Sequence, residues 1–380
     1  MNEARAKLLS SILTVLGVSA GSCAPIVAPD SPEDKDKVCP QSNYYAAKWP
    51  EGEELRHGKS TNAVCLPKPA GGECSSYPKA CVLKRYVCGL QEGGEEVVDT
   101  LPSKEPDMCC WEVKGTCAIG RPFVVDGEVR LASLALGDGW SSAVPPAPAA
   151  LDPSVREALA DVWARDGLTE HASVASFAQL TLELLALGAP AELVRGAQEA
   201  MADEIRHAER AFALASGYAG RAIGPGPLDT HGIGRAPVLA DFAARAAAEG
   251  CIAETVASLQ LHAAAAAAVD NELANELRLT AEEESTHALL AYRIVAWAIA
   301  KGGDEVRAAV HSVFERAADH IGFGPFPDEA LDLRDHGVLS RSERHDLAVQ
   351  ALREVIVPAG RALLGRDVAA RAARGSRASA

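Results

Sequence analysis

The sequence predicts a mainly α protein: a four-helix bundle with a long crossover between its second and third helices, preceded by a small disulfide-rich, β-containing module. Three observations carry that expectation. From about residue 153 to 302, apolar residues recur with the helical period in four successive stretches. The joints between these stretches are short, long and short, and the long one, Gly217 to Pro237, is rich in Gly and Pro. Eight of the 10 cysteines lie between Cys39 and Cys117, where helical periodicity is weak. A chain of 380 residues has room for more than one domain, and 48% apolar content with abundant Ala and Leu suits a helical core. A net charge of -15 argues against nucleic acid and against an anionic membrane surface as partners.

At the N-terminus, Arg5 and Lys7 precede an apolar run from Leu8 to Ala20 and then small residues. This is the layout of an export signal over residues 1–23, and the run is too short to span a bilayer. Ala20-Gly21-Ser22-Cys23 resembles a bacterial lipobox, although Ala20 stands where Leu is usual. The resemblance implies lipidation of Cys23, a periplasmic or cell-envelope location, and membrane contact only through that anchor. Residues 24–38 read as a Pro- and Asp-rich tether, and residues 39–136 as the Cys-rich module. Clustered cysteines in an exported chain read as a disulfide framework. Zinc is the rival, but no Cys-x-x-Cys occurs. Within the module, Phe123 to Leu131 predicts a hairpin on an Asp126-Gly127 turn. Nothing in the module looks catalytic. Residues 137–152 form a Pro- and Ala-rich linker.

Asp152-Pro153 is a helix-start signal. The first helix, about 153–187, carries Trp163, Glu170, Val174, Phe177 and Leu184 on one stripe, and Gly167 is a point where it can break. The second, about 190–216, aligns Leu193, Ala197, Met201, Glu204, Ala208 and Ala211. The third, about 237–268, aligns Ala243, Ala247, Gly250, Glu254, Leu261 and Ala265. The fourth, about 270–300, aligns Leu273, Leu277, Glu284, His287, Ala291 and Ile294, and Gly302-Gly303 ends it. The bundle thus occupies 153–302. Accessory helices follow within 303–367, one of them opened by a Ser340/Glu343 capping box. Residues 368–380 form a basic, Ala-rich tail.

Glu204-Ile205-Arg206-His207 places a carboxylate and an imidazole one helical turn apart, able to hold one metal ion from two sides. A single such pair means little, and Glu54-Leu55-Arg56-His57 is one with no helical stripe around it. The weight comes from a second copy, Glu284-Ser285-Thr286-His287, and from lone Glu170 and Glu254 on the other two inward stripes. A buried unpaired carboxylate must be neutralised. Two divalent cations balance four glutamates, and one imidazole per ion leaves positions open for oxygen or peroxide. His262, His311, His320, His336 and His345 show no ligand spacing and stay outside the site.

Glu, Glu-x-x-His, Glu, Glu-x-x-His is the ligand set of carboxylate-bridged two-metal helical bundles. Residues of about 155–300 resemble the ferritin-like superfamily of di-iron carboxylate proteins. Asp203-Glu204-Ile205-Arg206-His207 also resembles the Asp-Glu-x-Arg-His motif of its oxygen-activating members. The resemblance implies two iron ions on Glu170, Glu204, His207, Glu254, Glu284 and His287, with manganese suited to the same ligands. It also implies that Asp203 and Glu283 orient the imidazoles. The activity implied is oxidoreduction with oxygen or peroxide, on a substrate and with an electron donor that no residue names. A peroxidase with a rubredoxin-like Cys-x-x-Cys pair is disfavoured, because that pair is missing and Ala257 or Ser258 stands where a further glutamate would follow Glu254. The alternative is a non-catalytic metal-binding scaffold of the envelope.

Overall fold

The computed structural model describes residues 2–18, 61–67, 96–101, 108–114, 121, 123–125, 128–137, 139–141, 151–233, 237–320 and 331–365. Among these the chain is mostly helical, with little strand.

Helix α1 is Asn2–Val15, and α2 is Pro153–Ala186. Asp152 caps α2, its side chain accepting the Ser154 N–H at 2.8 Å, and Pro153 occupies the first turn, where no N–H is needed. The helix runs without a break through Gly167. A Cβ there would lie 3.0 Å from the Phe212 ring, so this glycine serves close helix packing and leaves the backbone intact. Gly188, at φ +67°, turns the chain into α3, Ala191–Ala219, which Gly220 ends in the left-handed conformation. Helix α4, Leu239–Ala246, passes into a π-helical stretch, Ala247–Glu254, and then into α5, Thr255–Ala267. Helix α6, Asn271–His320, is interrupted at Gly303, where φ is +67° and ψ is -139°. The sequence places the end of the fourth helix at this glycine pair. Helix α7, Arg341–Ala351, starts with the expected capping box and continues through a second π-helical turn, Leu352–Ile356.

The helices bury two apolar clusters. One gathers Phe177, Leu180, Leu184, Leu193, Ala197, Phe242, Ile252, Ile294 and Val295. The other gathers Leu159, Trp163, Ala211, Ala215, Ala265, Leu273 and Leu277. Each large side chain withdrawn this way contributes about 1.5–3 kcal/mol before entropy is counted. Along α2, α3 and α6, the residues of one cluster and those of the other flank Glu170, Glu204 with His207, and Glu284 with His287. Close approach depends on small residues: a Cβ on Gly250 would lie 2.3 Å from Ala291 Cβ.

Strands β1 (Thr61–Pro67), β2 (Glu96–Leu101) and β3 (Met108–Lys114) form an antiparallel sheet in the order β1-β3-β2, with Cys65 opposite Cys110. Strands β4 (Val124–Val125) and β5 (Glu128–Val129) pair as the Asp126-Gly127 turn predicts. Phe123 and Val125 pack on Ala172 of α2. Strand β6 (Leu134–Leu136) pairs with β7 (Ile223–Pro225) in the connection between α3 and α4. Phe123, Val125, Ala132 and Trp140 thus lie against the helices.

Helix α1, read above as part of an export signal, lies against the helices in this structure. Leu8, Ile12, Leu13 and Leu16 are buried, and Arg5 reaches Glu354 at 2.5 Å and Gln350 at 2.7 Å. No helix among the described residues is long and apolar enough to cross a membrane. Cys23, the tether, the Glu54/His57 pair, the Ala143–Ala150 linker and the tail lie outside the described residues.

Candidate metal centre

Glu170 sits on α2, Glu204 and His207 on α3, Glu254 at the last residue of the π-helical stretch, and Glu284 and His287 on α6. The fold brings all six together. Their donor atoms form two overlapping groups, Glu170, Glu204, His207 and Glu284 in one and Glu204, Glu254, Glu284 and His287 in the other, with the atoms of each group within 4.8 Å of one another. Glu204 and Glu284 belong to both groups; Glu170 and Glu254 belong to one each.

The oxygens of the shared glutamates divide between the two imidazoles. Glu204 Oε1 lies 3.1 Å from His287 Nδ1, and its Oε2 lies 3.7 Å from His207 Nδ1. Glu284 mirrors this, with Oε1 3.2 Å from His207 Nδ1 and Oε2 3.4 Å from His287 Nδ1. The two rings stand 5.9 Å apart.

Glu204, His207, Glu254, Glu284 and His287 are each at most 3% exposed. Glu170 retains 21% side-chain exposure, so the centre opens at its edge. Both Glu254 oxygens, Glu204 Oε2, Glu284 Oε2 and both Nδ1 atoms are buried without a hydrogen-bond partner. So many orphaned donor atoms facing one point would be costly unless a cation meets them. Carboxylate and imidazole donors suit iron, manganese or zinc. The residues present therefore fit a pair of divalent ions.

Electrostatics agree. Burial, then repulsion from the neighbouring glutamates, pushes Glu170 and Glu254 well above the usual carboxylate range. Burial acts the same way on Glu204 and Glu284, but the attraction of the adjacent His207 and His287 rings outweighs it and holds both below that range. Burial opposes charge on the two imidazoles, yet the surrounding carboxylates raise both well above the ordinary histidine value.

Outward, the imidazoles are held crosswise. His207 Nε2 lies 2.8 Å from Glu283, and His287 Nε2 lies 3.1 Å from Asp203. Glu283 is drawn down to about 2, burial being outweighed by hydrogen bonds from His207 and Arg206. It accepts, so the His207 Nε2–H donates and Nδ1 faces the cluster. Each ring is thus oriented by the carboxylate that precedes the Glu-x-x-His glutamate of the other helix. Arg206 bonds to both Asp203 and Glu283, and Arg210 links Glu283 to Glu276 at 3.2 and 2.8 Å.

One turn beyond Glu254, Ser258 donates to the Ala281 carbonyl at 2.9 Å and meets the Ser285 hydroxyl at 2.6 Å. His171 lies against Trp140 with ring centroids 4.8 Å apart, outside the cluster. Two neighbours escaped the sequence reading. Glu249 is buried five residues before Glu254, a spacing that an α-helical period does not place on one face. Arg121 comes from the segment before the helices and had no sequence signal.

No protein-family model, curated protein or solved structure matches this chain. The functional reading therefore rests on the centre itself.

Proposed function

We propose that this chain is a ferritin-like di-iron carboxylate protein of the cell envelope, an oxidoreductase that uses oxygen or peroxide, exported and lipid-anchored at Cys23. The observation that carries it is the pair of buried donor groups joined by Glu204 and Glu284, each glutamate offering one oxygen to either side. The four ligand-bearing helical stretches are the bundle of this reading. A pair of ferrous ions would supply the electrons that reduce oxygen or peroxide; manganese suits the same donors.

The chain's own residues have separate tasks. Glu204 and Glu284 would serve both ions, while Glu170 with His207 and Glu254 with His287 would complete the two sides. Asp203 and Glu283 hold the protons at the two Nε2 atoms and keep each Nδ1 turned inward. Phe177, 5.2 Å from the His287 ring, and the two apolar clusters exclude water. Glu170 marks where a small molecule enters.

The test is anaerobic loading of the full chain with ferrous iron, then desalting and elemental analysis, then oxygen uptake on exposure to air. Two irons per chain and prompt oxygen consumption are expected. Fewer than one iron per chain with helical circular dichroism intact would remove the di-iron reading. Two irons with no oxygen consumption would favour a metal-holding scaffold.

A further inference from the structure

Arg121 is 4% exposed, far more buried than an arginine from a connecting segment ordinarily is. Its Nη2 lies 3.5 Å from a Glu249 oxygen, and its Nε donates to Ser176 Oγ at 3.1 Å. The Ser173 hydroxyl donates to the Arg121 carbonyl at 2.8 Å, tying down the backbone as well. The guanidinium sits 4.9 Å from the centroid of the Phe177 ring, which in turn lies 5.2 Å from the His287 ring. One side chain from outside the helices thus touches α2, the π-helical stretch and the aromatic wall of the metal centre.

The π-helical stretch gives these contacts a purpose. Glu249 and Glu254 are five residues apart, which is about 140° around an α-helix. A π-helix bonds i to i+5, so the same spacing is close to one turn and the two carboxylates share a face. Glu249 meets Arg121, and Glu254 meets the cluster. If the stretch relaxed to α-helix, Glu254 could not stay in the cluster while Glu249 stayed on Arg121.

Resting on the metal reading above, we propose that Arg121 is a positioning residue. By pairing with Glu249 it holds the π-helical register that presents Glu254 to the metal pair. The segment before the helices is then a working part of the centre on its Glu254–His287 side. Arg245 and Glu183 supply an internal control. They join α4 to α2 at 2.6 Å, but Arg245 precedes the π-helical stretch.

The experiment is an anaerobic cobalt(II) titration of the full chain, followed by visible absorption and elemental analysis. The wild type is expected to take up two ions. Arg121→Met and Glu249→Gln should each keep one tightly bound ion and weaken the second tenfold or more, with Arg121→Lys partly restoring it. Glu183→Gln should bind both ions as the wild type does. Placed in a Glu170→Ala background, Arg121→Met should weaken the remaining ion tenfold or more; in a Glu254→Ala background it should change nothing. Wild-type affinity for both ions in Arg121→Met and Glu249→Gln overturns the inference alone. Equal loss of both ions, together with helical signal in both variants, also overturns it, because the pair would then merely stabilise the fold. A wild-type chain that takes up no metal overturns the metal reading and this inference with it.

Discussion

The helical hairpin α2–α3 and the hairpin formed by α4, α5 and α6 carry the same ligands in the same order, yet their backbones differ. In the first, Glu170 projects from a regular α-helix and keeps 21% exposure. In the second, Glu254 ends a π-helical stretch and is 1% exposed, with both oxygens lacking partners. The Glu-x-x-His segments behave in the opposite way. Glu204 and Glu284 are equally buried and divide their oxygens between the same two rings. The contrast teaches that the middle of the centre is symmetric and its ends are not. One end is open on a simple helix, and the other is closed on a backbone that needs outside support.

Removing a shared carboxylate should have the largest effect, because it belongs to both sides. Glu204→Ala or Glu284→Ala should bring metal content from two ions to below one per chain by elemental analysis. Retention of two ions in either variant would break the assignment of shared ligands. The unshared carboxylates should show the asymmetry. Glu170→Ala and Glu254→Ala should each keep one ion, with the survivor of Glu170→Ala exchanging more slowly with added chelator, since its side of the centre is enclosed.

A smaller effect sharpens the crosswise support of the rings. Asp203→Asn lies on α3 but should weaken the ion on His287 of α6, and Glu283→Gln the ion on His207, each by about 10–100-fold with both sites still filling at saturation. Competition titration with a chelator reads this. Equal weakening of both ions by either variant would argue for a general rather than a crosswise role.

The smallest expected effect concerns Asp166, one α-helical turn before Glu170 in the first hairpin. Burial raises the Asp166 carboxyl to about 6, with Arg344 and Arg165 acting in the opposite direction. A raised value means that the folded chain holds this proton more tightly than the unfolded chain. Stability therefore falls as pH rises from about 4 through 6, and at neutral pH the charged form is a cost. Asp166→Asn should raise stability by about 1–2 kcal/mol at pH 7 and by little at pH 4, after allowing for partial solvent access. Urea denaturation at the two pH values checks the sign.

Much of this was legible in the residue order. The six donors stand on inward stripes, and burial needs only local periodicity to be foreseen. Asp152 with Pro153, the Ser340/Glu343 box and Gly303 marked helix ends through backbone chemistry within a few residues. Gly167 pointed to a break because a lone sequence cannot tell a helix-weakening glycine from one that admits the Phe212 ring of another helix. Arg121 and Glu249 had no readable pattern, since their pairing spans more than a hundred residues and a π-helical register.

The sequence alone determined that four glutamates and two histidines would face inward on successive helices, because side-chain direction along a helix follows from the backbone period. Only the tertiary structure decided that Glu204 and Glu284 are the shared pair, that each imidazole leans on the opposite helix, and that Glu254 depends on a π-helical turn. Those outcomes follow from the relative rotation and spacing of packed helices. Residues such as Gly167, Gly250 and Ala291 set that spacing by what they leave out, and no local period encodes it.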